Sequence, residues 1–158
     1  MLIHMLVNTV SCGGNLIMNV GPTSRGYFDY RAEEALNVYG EWMRLNGRSI
    51  YGCTMAEPML QAPEGCKLTQ SEDGKRLYIH LQTYPFKKLA MQHLSAADIE
   101  YAQILSDGSE VLYADFDSSL SSHQMAGDDP EFTKKAVAFT LPVVKPHCIA
   151  PVIEVFLK

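Results

Sequence analysis

No stretch of this 158-residue sequence is apolar for long enough to cross a bilayer, which takes roughly 20 consecutive apolar residues. Its opening, MLIHMLVNTV, is broken by His4 and Asn8 and has no basic residue ahead of it. It reads as a helix, not a signal peptide. Basic charge is also scarce. Thirteen Lys and Arg stand against 18 Asp and Glu, a net charge of −5, which argues against a nucleic acid partner, since a clustered basic surface supplies most of that affinity. Cysteine is limited to Cys12, Cys53, Cys66 and Cys148. They show neither C-x-x-C spacing nor a histidine pattern suited to zinc, so no metal site is expected and free, buried thiols are. The five histidines are scattered, and His80, alternating with Tyr78 and Gln82, reads as a strand-face residue with no ligand role. Only one tryptophan, Trp42, is present.

The 47% of residues that are hydrophobic suffice for one medium domain or two small ones. Their pattern changes near Tyr51-Gly52. Before it, residues 2–10 form a helical stretch closed by Ser11-Cys12-Gly13-Gly14, where glycine can supply the left-handed turn that stops a helix. Residues 15–20, NLIMNV, are a short apolar run bounded by glycines. That suits a strand buried on both sides, ended by Gly21-Pro22. Residues 29–46 predict an amphipathic helix with Asp29 as N-cap, an apolar face of Ala32, Ala35, Leu36, Tyr39, Trp42 and Met43, and Gly47 as its stop. Strand followed by helix is half of a parallel α/β unit. Glu33, Glu34 and Glu41 read as a solvated helix face, and Trp42 reads as core.

After residue 53 the sequence turns into short strands. Residues 67–71 and 76–84 flank an Asp-Gly hairpin signal, and 99–105 and 110–116 bracket another. Leu77, Ile79 and Leu81 point one way, and Tyr78, His80 and Gln82 the other. Further strands are expected at 88–94, 136–141 and 151–157. About seven short strands in roughly 100 residues fit a β-sandwich. Residues 117–132, polar and rich in Ser and Asp, read as a long mobile loop. No internal repeat is evident.

The first fifty residues carry two separated motifs: GGNLIMNVGPTSRG at 13–26, then Gly40-Glu41-Trp42, Asn46-Gly47 and Ile50-Tyr51-Gly52. In this order they resemble the end of the catalytic domain of glycoside hydrolase family 29, the α-L-fucosidases. Ser24-Arg25-Gly26 departs from the family, where an acidic residue often precedes the glycine. Cys12 departs too, since Lys or Arg is common there. The resemblance implies an α/β remnant, the last βα unit of a (β/α)8-type barrel, over residues 1–52, followed by an all-β antiparallel sandwich over 53–158. A whole barrel takes about 250 residues, so most of it would lie outside this sequence.

By that resemblance, the function implied is the C-terminal portion of a retaining α-L-fucosidase acting on a fucosylated glycan. Such enzymes use two carboxylates about 5–5.5 Å apart, one a nucleophile and the other an acid/base. The family's carboxylates and sugar-gripping histidines come from motifs with no counterpart here. No catalytic residue, cofactor or metal is therefore assigned, and the chain alone is expected to be inactive. What remains is a substrate-binding rim at the C-terminal end of the expected strand: Asn19, Gly21, Thr23 and Arg25, each of which could equally be an ordinary loop residue. Residues 16–20 are expected to pair with something: another copy, an N-terminal barrel chain, or a rearranged local sheet. A different class of reading keeps the sandwich as a non-catalytic carbohydrate-binding or interaction module.

Overall fold

The computed structural model describes residues 2–116 and 135–158. The first helix, α1, spans Leu2–Ser11 and buries Ile3, Leu6, Val7 and Val10, the i, i+3, i+4, i+7 pattern of one helical face. Gly13, at φ +75°, turns the chain out of it and donates its N–H to the Val10 carbonyl at 2.9 Å. The second helix, α2, spans Tyr30–Asn46 and opens with the Asp29 carboxylate accepting the Arg31 N–H. It ends at Asn46 with Gly47 as its C-cap, as expected. Gly47 sits at φ −57° and leads straight into a 3₁₀ turn, Gly47–Ser49. Its missing side chain makes room instead: a Cβ there would lie 3.4 Å from the Tyr51 ring.

Among the described residues eight strands follow: β1 (Cys53–Met55), β2 (Cys66–Ser71), β3 (Arg76–Leu81), β4 (Lys88–Gln92), β5 (Ile99–Ile104), β6 (Leu112–Asp115), β7 (Ala136–Thr140) and β8 (Val152–Leu157). They form two sheets, ordered β1-β2-β3-β8-β5 and β4-β7-β6, in which every pairing is antiparallel. Their facing sides enclose one core, in which Leu77, Ile79, Ile153 and Val155 of the larger sheet share a cluster with Leu89, Met91, Val137 and Phe139 of the smaller. This is a β-sandwich, as expected. The β2–β3 hairpin turns at Gly74, φ +72°, as the Asp-Gly signal indicated.

The second expected pair divides between the sheets. The connection after β5 folds back on it at a bridge, Gln103 to Glu110, and β6 then pairs with β7 instead. The crossing falls at Val111, wholly buried, whose N–H still reaches the Ala102 carbonyl at 2.9 Å. Strand β3 is buried on both faces, because α1 and α2 cover the outer side of the larger sheet. Ile3, Leu6, Val7 and Trp42 pack there with Tyr78 and Val152. The sequence thus yields three layers: helices, five-stranded sheet, three-stranded sheet.

The expected strand at 15–20 does not form. These residues carry no sheet assignment, and Ile17 is 89% exposed. A strand needs a neighbour for its N–H and C=O groups, and no described strand pairs with this segment. The barrel-type βα unit is therefore reduced to its flanking helices. All four cysteines are free as expected, but only Cys66 is buried; Cys12 is exposed. The loop expected at 117–132 lies outside the described residues.

Candidate functional site

The four rim residues share one stretch, the exposed connection between α1 and α2. Asn19, Gly21, Thr23 and Arg25 are all exposed, and nothing stands within 4 Å of where a Gly21 side chain would begin. Thr23 organises a small turn. Its N–H bonds the Tyr27 carbonyl at 2.7 Å, its carbonyl accepts the Gly26 N–H at 2.9 Å, and its hydroxyl accepts the Tyr27 N–H at 3.3 Å. Gly26, at φ +83°, makes that turn possible without strain. Beside it Tyr27, Phe28 and Tyr30 are 72%, 47% and 68% exposed. Sequence reasoning passed over these aromatics, although three of them within four residues of a glycine turn is itself a signal. With Ile17 they are exposed large apolar side chains of the α1–α2 connection and the first residue of α2.

The carboxylates of α2 stay in solvent. Glu33, Glu34 and Glu41 are exposed, and Glu41 pairs with Arg44 at 2.9 Å on the surface. A cleft of about 350 Å³ separates α1 from α2, lined largely by Leu2, Ile3, Val38 and Tyr39, with Arg31 and Glu34 at its polar side.

Among the described residues one carboxylate is wholly buried, and sequence reasoning missed it. Glu154, in the middle of the apolar strand β8, accepts from Arg48 and Arg76 at 3.0 Å each, from the Tyr78 hydroxyl at 3.2 Å and from Gln103 at 2.6 Å. Burial, then the Glu154 charge, pushes the Tyr78 hydroxyl up to about 12, so it remains a donor. Four donors occupy the two oxygens, leaving no free lone pair for a substrate proton. The cluster clasps the end of α2 to the sandwich. A lone Glu in the run VIEVF was the available sign.

His80 is equally enclosed. Thr69 donates its hydroxyl to the Ser49 carbonyl at 2.7 Å, so it can only accept from His80, whose Nε2–H donates across 2.9 Å. Nδ1 is then a bare acceptor with no partner among the described residues. The Trp42 ring stacks nearby, 6.4 Å between centroids, with its indole N–H donated to the Ile149 carbonyl. Burial pulls the imidazole down to about 3. It is neutral and out of reach of solvent, so it serves the fold, as its strand position indicated. Trp42 is core, as expected.

Comparison with known proteins falls most heavily on this same helix side. A sequence model of the family "Alpha-L-fucosidase" matches residues 1–48. Plasma alpha-L-fucosidase of Homo sapiens is 52% identical over 50 residues, 32% of this chain and 11% of that protein. Tissue alpha-L-fucosidase of Bos taurus is 34% identical over 84 residues, 53% of this chain and 17% of that one. Alpha-L-fucosidase isoenzyme 1 from Paenibacillus thiaminolyticus superposes on 99% of this chain with TM-score 0.80 and 30% identity. These matches support a C-terminal fragment of a glycoside hydrolase family 29 α-L-fucosidase. The chain spans 34% of the Paenibacillus enzyme, and matches 11% of the plasma fucosidase. A family 29 α-L-fucosidase of Bacteroides thetaiotaomicron, solved as a trapped covalent intermediate with 2-fluoro-fucosyl fluoride, shares the fold at TM-score 0.78 and 21% identity. The likeness to solved fucosidases thus runs through the sandwich as well as the helices.

Proposed function

We propose that this chain closes and buttresses the catalytic barrel of a retaining α-L-fucosidase, an exo-glycosidase that releases terminal L-fucose by double displacement. The observation that carries the reading is the superposition of nearly the whole chain on one third of the Paenibacillus fucosidase. In this reading residues 1–52 complete the barrel and 53–158 form the supporting sandwich. Residues 15–20 become a strand once barrel neighbours flank them. The exposed Ile17 and the unpaired backbone around it fit that role, because a parallel-barrel strand is buried on both faces only inside its barrel.

The reaction needs a nucleophilic carboxylate that forms a glycosyl-enzyme and a second carboxyl group that protonates the leaving oxygen, then activates water. The trapped covalent intermediate of the Bacteroides relative is consistent with that course. Within this chain the buried Glu154 is fully hydrogen-bonded, and Glu33, Glu34 and Glu41 are solvated helix carboxylates. We therefore assign both catalytic carboxylates to the barrel outside this chain. Asn19, Gly21, Thr23 and Arg25 would lie on the sugar-facing rim, where barrel sites form at strand C-terminal ends. Gly21 leaves the backbone open to a ligand, and Asn19 and Arg25 offer side-chain donors.

An aryl-α-L-fucoside tests the reading. The 158-residue chain should give no turnover. A chimaera in which it replaces the matching third of the Paenibacillus enzyme should hydrolyse the substrate. Turnover by the chain alone, abolished by one substitution within it, would refute the proposal, as would a folded chimaera without activity.

A further inference from the structure

The connection between α1 and α2 leaves a run of backbone unpaired. No residue from 15 to 22 makes a hydrogen bond, by main chain or side chain, with another described residue. The bonds that close α1 end at Gly14, whose N–H reaches the Thr9 carbonyl, and the next begin at Thr23. Exposure alternates along the run. Leu16, Met18 and Val20 are half-buried, with Leu16 against the helix-side core, while Asn15, Ile17 and Asn19 are exposed. A period of two is that of an extended chain, whose successive side chains point to opposite sides.

An extended segment with open N–H and C=O groups is a template for another strand, and proteins guard such edges with charge, proline or a bulge. Those guards are missing here. From Leu2 to Ser24 the sequence has no Asp, Glu, Lys or Arg, and Pro22 falls after the run. No charge therefore repels a second copy of the same run, and its side chains complement themselves. In an antiparallel pair with its twofold axis at Ile17, Ile17 lies opposite the partner's Ile17, Asn15 opposite the partner's Asn19, and Leu16 opposite the partner's Met18. Apolar side chains then meet apolar ones and carboxamides meet carboxamides, the cross-strand matches that stabilise a ladder. Moving the axis to Leu16 or Met18 sets Ile17 against an asparagine.

We propose that this chain self-associates through residues 15–19, as an antiparallel strand pair centred on Ile17. A twofold contact uses the same patch on both copies and is closed, so it stops at a dimer. The contact is small and the dimer accordingly weak, with dissociation in the micromolar-to-millimolar range. On the fucosidase reading a barrel strand would claim the same edge. Self-pairing needs only the 158-residue chain and does not rest on that reading.

Sedimentation equilibrium from about 10 μM to about 1 mM should show a monomer–dimer equilibrium. Amide hydrogen exchange within residues 15–19 should slow as the concentration rises. Ile17→Lys sets two ammonium groups opposite each other and Ile17→Glu two carboxylates, so each should weaken the dimer at least about tenfold. Ile17 is 89% exposed, so both variants should keep the circular dichroism of the parent. Mixed together, the two variants should pair and restore the dimer, because position 17 of one copy faces position 17 of the other. A monomer throughout the range, unchanged exchange, variants that dimerise as well as the parent, a mixture that stays monomeric, or growth beyond the dimer would each overturn the proposal. Hydrolysis by the chimaera is a separate readout, so failure here leaves the fucosidase reading untouched.

Discussion

Arg48, in the turn that follows α2, donates to the Glu154 carboxylate of β8 across 3.0 Å. That bond joins the helical layer to the centre of the larger sheet, and its two partners are unequal. Glu154 is fully buried, while the Arg48 side chain is 58% exposed. Arg48→Ala leaves Glu154 with Arg76, Tyr78 and Gln103, so it should cost about 1 kcal/mol or less, the range of partly exposed ion pairs. Glu154→Ala leaves the buried Tyr78 hydroxyl without its acceptor, and the partly exposed Arg76 and Gln103 as well, and should cost more, about 2–3 kcal/mol. Urea unfolding of both variants decides the matter; equal losses would mean that the clasp is not organised around Glu154.

Gly65 makes a sharper steric prediction. It sits at φ +71°, and a Cβ built on it would lie 2.9 Å from the Cβ of Thr83, whose N–H bonds the Gly65 carbonyl at 3.0 Å. Gly65→Ala therefore combines a left-handed backbone with a clash and should destabilise by about 1–3 kcal/mol. Gly21→Ala, in open space at an ordinary φ, should change stability by less than about 0.5 kcal/mol. Thermal unfolding of the two variants side by side checks the contrast.

Most of the fold was legible because most of it follows from local pattern. The Asp29 cap, the Asp-Gly hairpin between β2 and β3, and the alternation of Leu77, Ile79 and Leu81 are each written within ten residues. The β5–β6 switch was not, since the pull of β7 on β6 depends on a strand more than twenty residues further along. Residues 15–20 misled for a related reason. An apolar run between glycines specifies that a strand can form, but a strand exists only beside a partner, and that partner is no property of the run. The Glu154 cluster gathers Arg48, Arg76 with Tyr78, and Gln103 from three other parts of the chain. Its lone sequence sign was one acid within β8. At the candidate rim, the sequence located the loop but not its exposed aromatics, Tyr27 and Phe28, whose apolar character alone would have suggested burial.

His80 predicts a pH dependence. Burial holds its imidazole neutral down to about 3, whereas the unfolded chain takes up the proton near 6.5. Between these values the unfolded state binds more protons, so stability rises with pH there. The contribution is complete above about 6.5 and falls away as the pH drops toward 3, by up to about 1.4 kcal/mol per pH unit. His80→Gln loses some stability at every pH, yet it should flatten this slope. Urea midpoints at pH 7, 5 and 4 for both proteins provide the comparison, and parallel slopes would show that His80 is accessible to protons in the folded state.

Ile17 separates the isolated chain from the barrel it is proposed to complete. At 89% exposure its side chain contributes almost nothing to the 158-residue fold, so Ile17→Ser should shift unfolding by no more than about 0.5 kcal/mol. If residues 15–20 become an inner strand in the chimaera with the Paenibacillus barrel, the same change buries a hydroxyl and removes apolar volume. The loss there should be on the order of 2–5 kcal/mol, with fucoside hydrolysis failing at a lower temperature. The difference between the two backgrounds is the measurement that matters, because exposure in both would leave this segment a surface loop and remove the proposed strand from the barrel.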